Sequence, residues 1–233
     1  MNLLQKNPIT LCGRIEKCWL FTFRTPVEAV RPLVPERLEL LERNGFAFWN
    51  VVACEVTQMR PKGMPGGIGM RFRQIAYRLY VRYKPNGTPI EGLYFLRSDC
   101  DKHLMSASGR LLTNFQFHQS PIDLKDDSLT VSGEMPAHAE IDRSELASLP
   151  EGSAFDSLYQ AKAVLKYKPF GISPTSNCKM NVVRIQRDER AWVSRLVAVK
   201  RQHWSFFDGK PVEPEICYEV EPVEYQWNRG RIL

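Results

Sequence analysis

The sequence predicts an α+β fold in which antiparallel strands predominate and a few short helices flank them. Residues 72–84 alternate between polar and apolar side chains, as a half-buried strand does. The Pro85-Asn86-Gly87 turn that follows favours a hairpin into a second strand, Ile90–Arg97. Because many further strand-like segments alternate with only a few helical ones, we expect a single domain over residues 1–233.

Composition and charge narrow the class of protein. A hydrophobic fraction of 43% and a charged fraction of 25% are ordinary for a soluble globular chain. The net charge of +6 permits anionic partners, but lysine and arginine form no dense block, which disfavours nucleic-acid binding. The sequence contains neither an apolar run of about 18 residues nor a signal peptide, and its six cysteines form no Cys-x-x-Cys pair. We therefore expect a reduced cytoplasmic protein with no membrane partner.

The N-terminal region predicts a strand followed by a short helix. Residues 17–24 are rich in aromatic and β-favouring side chains. Thr25 is a suitable N-cap, Pro26 suits the first helical position, and Glu28 completes a Thr-x-x-Glu capping box. Prolines that follow soon afterwards predict an early end to this helix.

The next strand, residues 45–57, is apolar on both of its alternating faces, which predicts a strand covered on both sides. Glu55 is the lone charge within it. A buried carboxylate needs a partner, so we expect Glu55 to face an arginine or to lie near an opening.

One face of the strand at 72–84 is the best candidate for a site. It carries Gln74, Arg78, Tyr80 and Arg82, whereas Ile75, Tyr77, Leu79, Val81 and Tyr83 share the other face. A fixed guanidinium is a planar donor suited to a carboxylate or an enolate. Two other interpretations stay open, namely an internal ion pair between Arg78 and Glu55, and a solvated outer face of the sheet.

The following helix is predicted over residues 98–112. Ser98 and Asp101 provide a capping signal, and Arg110 lies off the predicted buried stripe of Leu104, Ala107 and Leu111. Later in the chain the pattern predicts helices at 144–149 and 153–167 and strands at 113–119, 129–135, 179–186 and 192–200.

Several of these segments resemble acetoacetate decarboxylase. The run Phe23-Arg24-Thr25 … Leu33-Val34-Pro35-Glu36-Arg37-Leu38 is similar to its Tyr-Arg-Thr-Asp … Val-Val-Pro-Glu-Pro-Leu segment. Residues 74–81 resemble the strand Glu-Leu-Asn-x-Arg-Thr-Tyr-Val of a related uncharacterised family, with glutamine in place of the glutamate, and residues 92–96 and the Gly109-Arg110 pair continue the match. The resemblance covers roughly residues 15–120. It implies a cone-like, mostly antiparallel β-barrel with flanking helices and a central pocket.

The resemblance also bears on the reaction. Acetoacetate decarboxylase works through a lysine that forms a Schiff base with its keto-acid, and this lysine ends a strand after the Gly-Arg helix. The comparable segment here, Ser128–Met135, contains no lysine, and Lys125 lies in an acidic, loop-like stretch. We therefore expect an organic-acid pocket without the Schiff-base amine.

The predicted ligand-binding residues are Gln74, Arg78, Tyr80, Tyr94 and Arg110. Arg78 and Arg110 would anchor an anion, and Tyr80 or Glu55 would handle a proton, although no catalytic residue is fixed by the sequence. We predict no cofactor and no metal site, because Cys100 and His103 at helical spacing supply only two of the four ligands that zinc needs.

Three functions remain open at this point. The chain could be an enzyme, for example a lyase, that acts on a keto- or carboxylic acid, or a non-catalytic protein that binds the same small anionic organic molecule. The third and weakest alternative is a binder of nucleic acid or of an anionic surface. The sequence also leaves a homo-oligomer open.

Overall fold

The computed structural model of the protein describes residues 7–175 and 179–233. The strands are β1 (Leu11–Pro26), β2 (Leu38–Leu40), β3 (Glu42–Arg43), β4 (Phe46–Pro61), β5 (Met70–Tyr83), β6 (Ile90–Cys100), β7 (Phe117–Gln119), β8 (Ile122–Leu124), β9 (Ser128–Val131), β10 (Ala137–Glu145), β11 (Phe170–Pro174), β12 (Met180–Arg187), β13 (Ser194–Trp204), β14 (Glu213–Val220), β15 (Val223–Trp227) and β16 (Arg231–Ile232). The α-helices are α1 (Val27–Val30), α2 (His103–Leu112) and α3 (Leu158–Leu165). Within the described ranges, no helix combines the length and the hydropathy needed to cross a membrane.

Strand pairing closes a ring. The long strand β1 pairs with β4 along one edge, and with β15 and then β14 along the other. From β4 the order continues through β5, β6, β11 and β12 to β15, which returns to β1. Of these neighbours only β6 and β11 run parallel. The prediction of an α+β fold built mainly from antiparallel strands is therefore confirmed.

The two faces of the ring strands are buried in different surroundings. One face, here called the outer face, meets a second layer of strands that continues from β14 through β13, β10 and β9 to β8. Its packing is largely aromatic, with Trp19, Phe21, Phe23, Trp49, Tyr77, Trp204 and Phe207 in one cluster. The inner face contributes side chains from β1, β4, β5, β6, β12 and β15 to a separate cluster, which lies within the ring.

Helices α2 and α3 cover the inner cluster. A Cβ atom on Gly109 of α2 would lie 2.4 Å from the ring of Phe117, so this close approach requires glycine and explains the Gly109-Arg110 pair physically. At α3, the hydroxyl of Tyr80 on β5 donates a hydrogen bond of 2.8 Å to the carbonyl oxygen of Leu165.

The predicted start of each early helix is wrong. β1 continues through Pro26, which pairs with Phe46, so Thr25 is extended and no side-chain hydrogen bond caps α1. Likewise β6 extends to Cys100 through its pairing with β5, and α2 begins only at His103. In both places pairing with a neighbouring strand overrides the local capping signal.

The predicted buried stripe of α2 is also wrong. Leu104 and Leu111 are 66% and 48% exposed, whereas Met105, Ser106 and Gly109 are buried. The helix therefore turns its small residues toward Phe117. The helix predicted at 144–149 is wrong as well, because β10 extends to Glu145 and residues 146–149, all described, form no helix. Within the predicted helix at 153–167, α3 forms over Leu158–Leu165 and buries Ala161 and Leu165.

The hairpin prediction is confirmed. β5 and β6 pair in antiparallel register across the Pro85-Asn86-Gly87 turn, where Asn86 and Gly87 have φ values of +53° and +85°. Five of the six cysteines are free thiols, and Cys178 lies outside the described residues.

Candidate functional site

A small cavity lies inside the ring, between the inner faces of its strands. Its volume is about 60 Å³, room for only a few water-sized atoms. The lining residues are Ile15, Cys18, Leu20, Val52, Cys54, Val56, Gln74, Arg78, Phe95, Tyr167, Ile185, Arg187, Trp192, Tyr225 and Trp227. We call this space the inner cavity.

Arg78 brings a positive charge into the inner cavity from β5. The residue is only 5% exposed, and its Nη2 donates to Oδ1 of Asn50 on the neighbouring strand β4. Its guanidinium carbon lies 5.4 Å from the centre of the Phe95 ring. Among the described residues, no carboxylate pairs with Arg78 and its buried Nε has no hydrogen-bond partner. Burial lowers the pKa of Arg78, so an anion beside it would stabilise its charge.

Arg187, the last residue of β12, brings a second guanidinium. Its guanidinium carbon lies 3.7 Å from the ring centre of Tyr167 and 3.2 Å from that of Trp192. Nε and Nη2 each donate a long hydrogen bond of 3.3 Å to Glu189, whose side chain is largely exposed. The buried Nη1 has no partner within the described part of the chain, and burial lowers the pKa of this group too.

The neutral polar groups around the two arginines are held in fixed protonation states. Burial raises the pKa of the Tyr167 hydroxyl, which also lacks a hydrogen-bond partner in the described ranges. Burial likewise raises the pKa of the Cys54 thiol to about 12 and that of Cys18 well above its usual value. The two thiols are therefore protonated near neutral pH and are poor nucleophiles.

The predicted site residues of β5 share one face, as the alternation indicated. Gln74 and Arg78 line the inner cavity. Tyr80 lies behind them, because its hydroxyl accepts a hydrogen bond of 2.9 Å from Nδ2 of Asn50 and donates to the carbonyl of Leu165. Asn50 thus joins Tyr80 to Arg78, and the geometry gives Tyr80 a supporting position.

The structure does not bring the remaining predicted residues to the cavity. Glu55 lies on the outer face, where it pairs with Arg71 at 2.7 Å and Arg73 at 3.2 Å; an arginine partner was expected, but it is not Arg78. Tyr94 packs against the outer cluster, and Arg110 is exposed on α2.

A wider groove of about 570 Å³ adjoins the inner cavity at Leu20, Tyr167, Arg187 and Trp192. Lys162 and Lys166 also line it, opposed within the described lining by the single carboxylate of Glu189. The groove is therefore electropositive. We call it the basic groove.

Sequence reasoning missed Arg187, Tyr167 and Trp192. They lie beyond the region of resemblance, on three separate segments that meet only in the fold. Only Arg187 had a local signal in the sequence. It directly follows the strand predicted at 179–186, at the point where that strand would leave the sheet.

The chain has an acetoacetate decarboxylase-like fold. It is similar to acetoacetate decarboxylase from Legionella pneumophila, with a TM-score of 0.61, 12% identity and coverage of 99% of this chain and 90% of that one. It is also similar to an acetoacetate decarboxylase-like enzyme from Sphingomonas wittichii RW1, with a TM-score of 0.59, 11% identity and coverage of 99% of this chain and 94% of that one. The enduracididine biosynthesis enzyme MppR complexed with pyruvate matches with a TM-score of 0.55, 14% identity and coverage of 99% of this chain and 91% of that one.

The sequence itself matches one family model. Residues 14–172 match DUF2071, described as "Uncharacterized conserved protein (COG2071)", and the chain belongs to this family. A comparison with curated protein sequences found no match.

Proposed function

We propose that the protein binds a small organic acid in the inner cavity, with the carboxylate held between Arg78 and Arg187 and no Schiff base formed. One observation carries this proposal: Nε of Arg78, Nη1 of Arg187 and the hydroxyl of Tyr167 are buried donors without partners in the described chain, and all three residues line the same cavity. Leaving a buried donor unpaired costs about 1–3 kcal/mol, more when it is charged. A carboxylate offers about four acceptor positions.

The charges around the cavity support an anion over other ligands. The described lining of the inner cavity contains two guanidinium groups and no carboxylate, and the adjoining basic groove adds Lys162 and Lys166. A cation would be repelled at both places. The side-chain amide of Gln74 also lines the cavity, where it can bond a carbonyl or hydroxyl group beside the carboxylate.

The groups in the inner cavity support binding without a covalent amine. The described lining of the inner cavity includes no lysine, and Lys162 and Lys166 lie in the basic groove. A second candidate is an enzyme on a keto-acid, favoured by the fold relatives, which include an acetoacetate decarboxylase-like enzyme and the biosynthesis enzyme MppR complexed with pyruvate. In that case Arg78 and Arg187 would stabilise a developing enolate, and Asn50 and Tyr80 would hold Arg78 in place.

Titration calorimetry tests the anion site. Butanoate, pyruvate and acetoacetate are expected to bind, and butanamide, the neutral counterpart of butanoate, is not. Arg78→Met and Arg187→Met should each weaken butanoate binding about 10- to 100-fold, since each removes a charge-assisted hydrogen bond. Arg110→Met on the exposed side of α2 is the matched control and should leave affinity unchanged. Equal binding of acid and amide, or unchanged affinity in both cavity variants, would contradict the proposal.

Borohydride trapping with pyruvate or acetoacetate tests the covalent step. Mass spectrometry is expected to find no lysine adduct. An adduct would overturn the amine-free part of the proposal and leave the anion site standing. For the second candidate, proton NMR of keto-acids mixed with the protein should reveal conversion that Arg78→Met abolishes.

A further inference from the structure

A second cavity adjoins the inner cavity at residues other than those that the inner cavity shares with the basic groove. It has a volume of about 200 Å³ and lies between the ring and α2. Its lining residues are Asn7, Ile9, Leu11, Met59, Arg60, Pro61, Met70, Phe72, Gln74, Met105, Ser108, Gly109, Leu112, Thr113, Phe115, Phe117, Tyr225 and Trp227. We call it the deep cavity.

The two cavities meet at three shared side chains, Gln74, Tyr225 and Trp227. The inner cavity in turn meets the basic groove at Arg187. Three adjoining spaces therefore differ in character: the basic groove carries the lysines, the inner cavity carries the two guanidinium groups, and the space beside α2 is mostly apolar.

Four polar residues of the deep cavity make side-chain hydrogen bonds within the protein. Arg60 donates to the carbonyl oxygens of Gln58 and Met64. The hydroxyls of Ser108 and Thr113 donate to carbonyls within α2, and Asn7 donates to the carbonyl of Asn228. Each of these four residues thus makes at least one hydrogen bond within the protein, whereas the inner cavity presents three buried donors without partners in the described chain.

The geometry points to a carboxylic acid with an apolar chain as the ligand, its carboxylate at Arg78 and Arg187 and its chain passing Gln74 into the deep cavity. This inference rests on the proposed function, because the head group occupies the same anion site. A two- or three-carbon acid would leave the deep cavity unfilled. Burying each methylene among Phe72, Phe115 and Phe117 should raise affinity about three- to fourfold.

A homologous series of linear acids tests the inference by titration calorimetry: acetate, butanoate, hexanoate and octanoate, each beside its neutral amide. Affinity should rise with chain length for the acids, and the amides should bind far more weakly at every length. Ser108→Phe places a ring in the deep cavity and should abolish the gain beyond butanoate. Leu104→Phe, on the exposed face of the same helix, is the matched control and should retain the full series. Circular dichroism and thermal unfolding establish that both variants are folded.

The outcomes separate this inference from the proposed function. Binding of acids with no dependence on length would overturn the inference and leave the organic-acid site intact. A length dependence that survives in a folded Ser108→Phe variant would place the chain elsewhere and also overturn it. Failure of every acid to bind would remove the proposed function itself. Equal affinities of acid and amide at every chain length would show apolar binding without the guanidinium anchor and would contradict both.

Discussion

The two faces of β4 and β5 have the same backbone and opposite roles. On the outer face Trp49 and Tyr77 pack against Phe206 and Phe207, with Tyr77 and Phe206 stacked at 4.2 Å between ring centres. The charge on that face, Glu55, is paired with two arginines. On the inner face the chain leaves Arg78 without a carboxylate, beside a cavity.

Burial of unpartnered polar atoms alone does not mark a ligand-binding site. The outer cluster also contains buried polar atoms without partners in the described chain, Nε1 of Trp49 and Oη of Tyr77, but they are neutral and sit in close aromatic packing. The inner face combines uncompensated charge with space. Mutations on the outer face should therefore change stability, and mutations on the inner face should change ligand binding.

The largest expected effect is on the outer face. Trp49→Ala removes a fully buried ring from the aromatic cluster and should lower the free energy of unfolding by about 3–5 kcal/mol. Urea denaturation followed by circular dichroism measures this change. Trp49→Phe, which keeps an aromatic ring in the cluster, should lower the free energy of unfolding clearly less than Trp49→Ala. A loss below about 1 kcal/mol for Trp49→Ala would mean that the outer cluster repacks, and would contradict the assignment of stability to the outer face.

Tyr80→Phe should have a smaller effect, and one that reaches the ligand. It leaves Nδ2 of Asn50 and the carbonyl of Leu165 without a partner, which costs about 1–3 kcal/mol of stability. Butanoate affinity should also fall, because Asn50 positions Arg78. Tyr83→Phe, which removes the hydrogen bond to the carbonyl of Leu233, is the control. If both variants leave affinity unchanged, Tyr80 has no positioning role.

The buried thiol of Cys54 should make stability depend on alkaline pH. Its pKa is raised to about 12 in the folded protein, against about 8.5 in an unfolded chain. The unfolded chain therefore releases this proton first, and the contribution is present below about pH 8.5 and lost as the pH rises toward 12. Between pH 7 and pH 10, the free energy of unfolding of the wild type should fall by about 1–2 kcal/mol more than that of Cys54→Ser. Parallel pH profiles of unfolding for the two proteins would contradict this.

The smallest effect is expected for Glu55→Gln. Its partners Arg71 and Arg73 are partly exposed, so solvent screens the ion pairs and the loss should stay below about 1 kcal/mol. Butanoate affinity should not change, since the side chain lies on the outer face. A measured drop in affinity would connect Glu55 to the cavity and remove the division between the faces.

The sequence predicted part of this arrangement correctly, for a physical reason. Alternation along β5 fixes which side chains share a face, so Gln74, Arg78 and Tyr80 were grouped correctly, and the Asn86-Gly87 turn fixed the hairpin. The same alternation does not determine which of the two faces of β5 encloses the cavity. Tyr94 was placed in the site although its strand directs it to the outer face.

The other half of the site depends on contacts that no local pattern encodes. Arg187 is oriented by stacking between Tyr167 and Trp192, which come from the segment after α3 and the turn before β13. Neither aromatic residue has a sequence neighbour that predicts this meeting. Arg110 was misjudged for the same reason, since the position of α2 is set by the contact of Gly109 with Phe117.

Strand β1 has a consequence for how the molecule is made. It is one of the first described segments, yet the hydroxyl of Thr22 bonds the carbonyl of Ile216, 194 residues away, and β1 pairs with both β14 and β15. During synthesis on the ribosome, this strand must therefore wait with the backbone N–H and C=O groups of one edge unpaired until those late segments emerge. Contacts of such long sequence separation slow folding and expose intermediates to aggregation. Efficient production should accordingly depend on chaperones more than on the stability of the finished molecule.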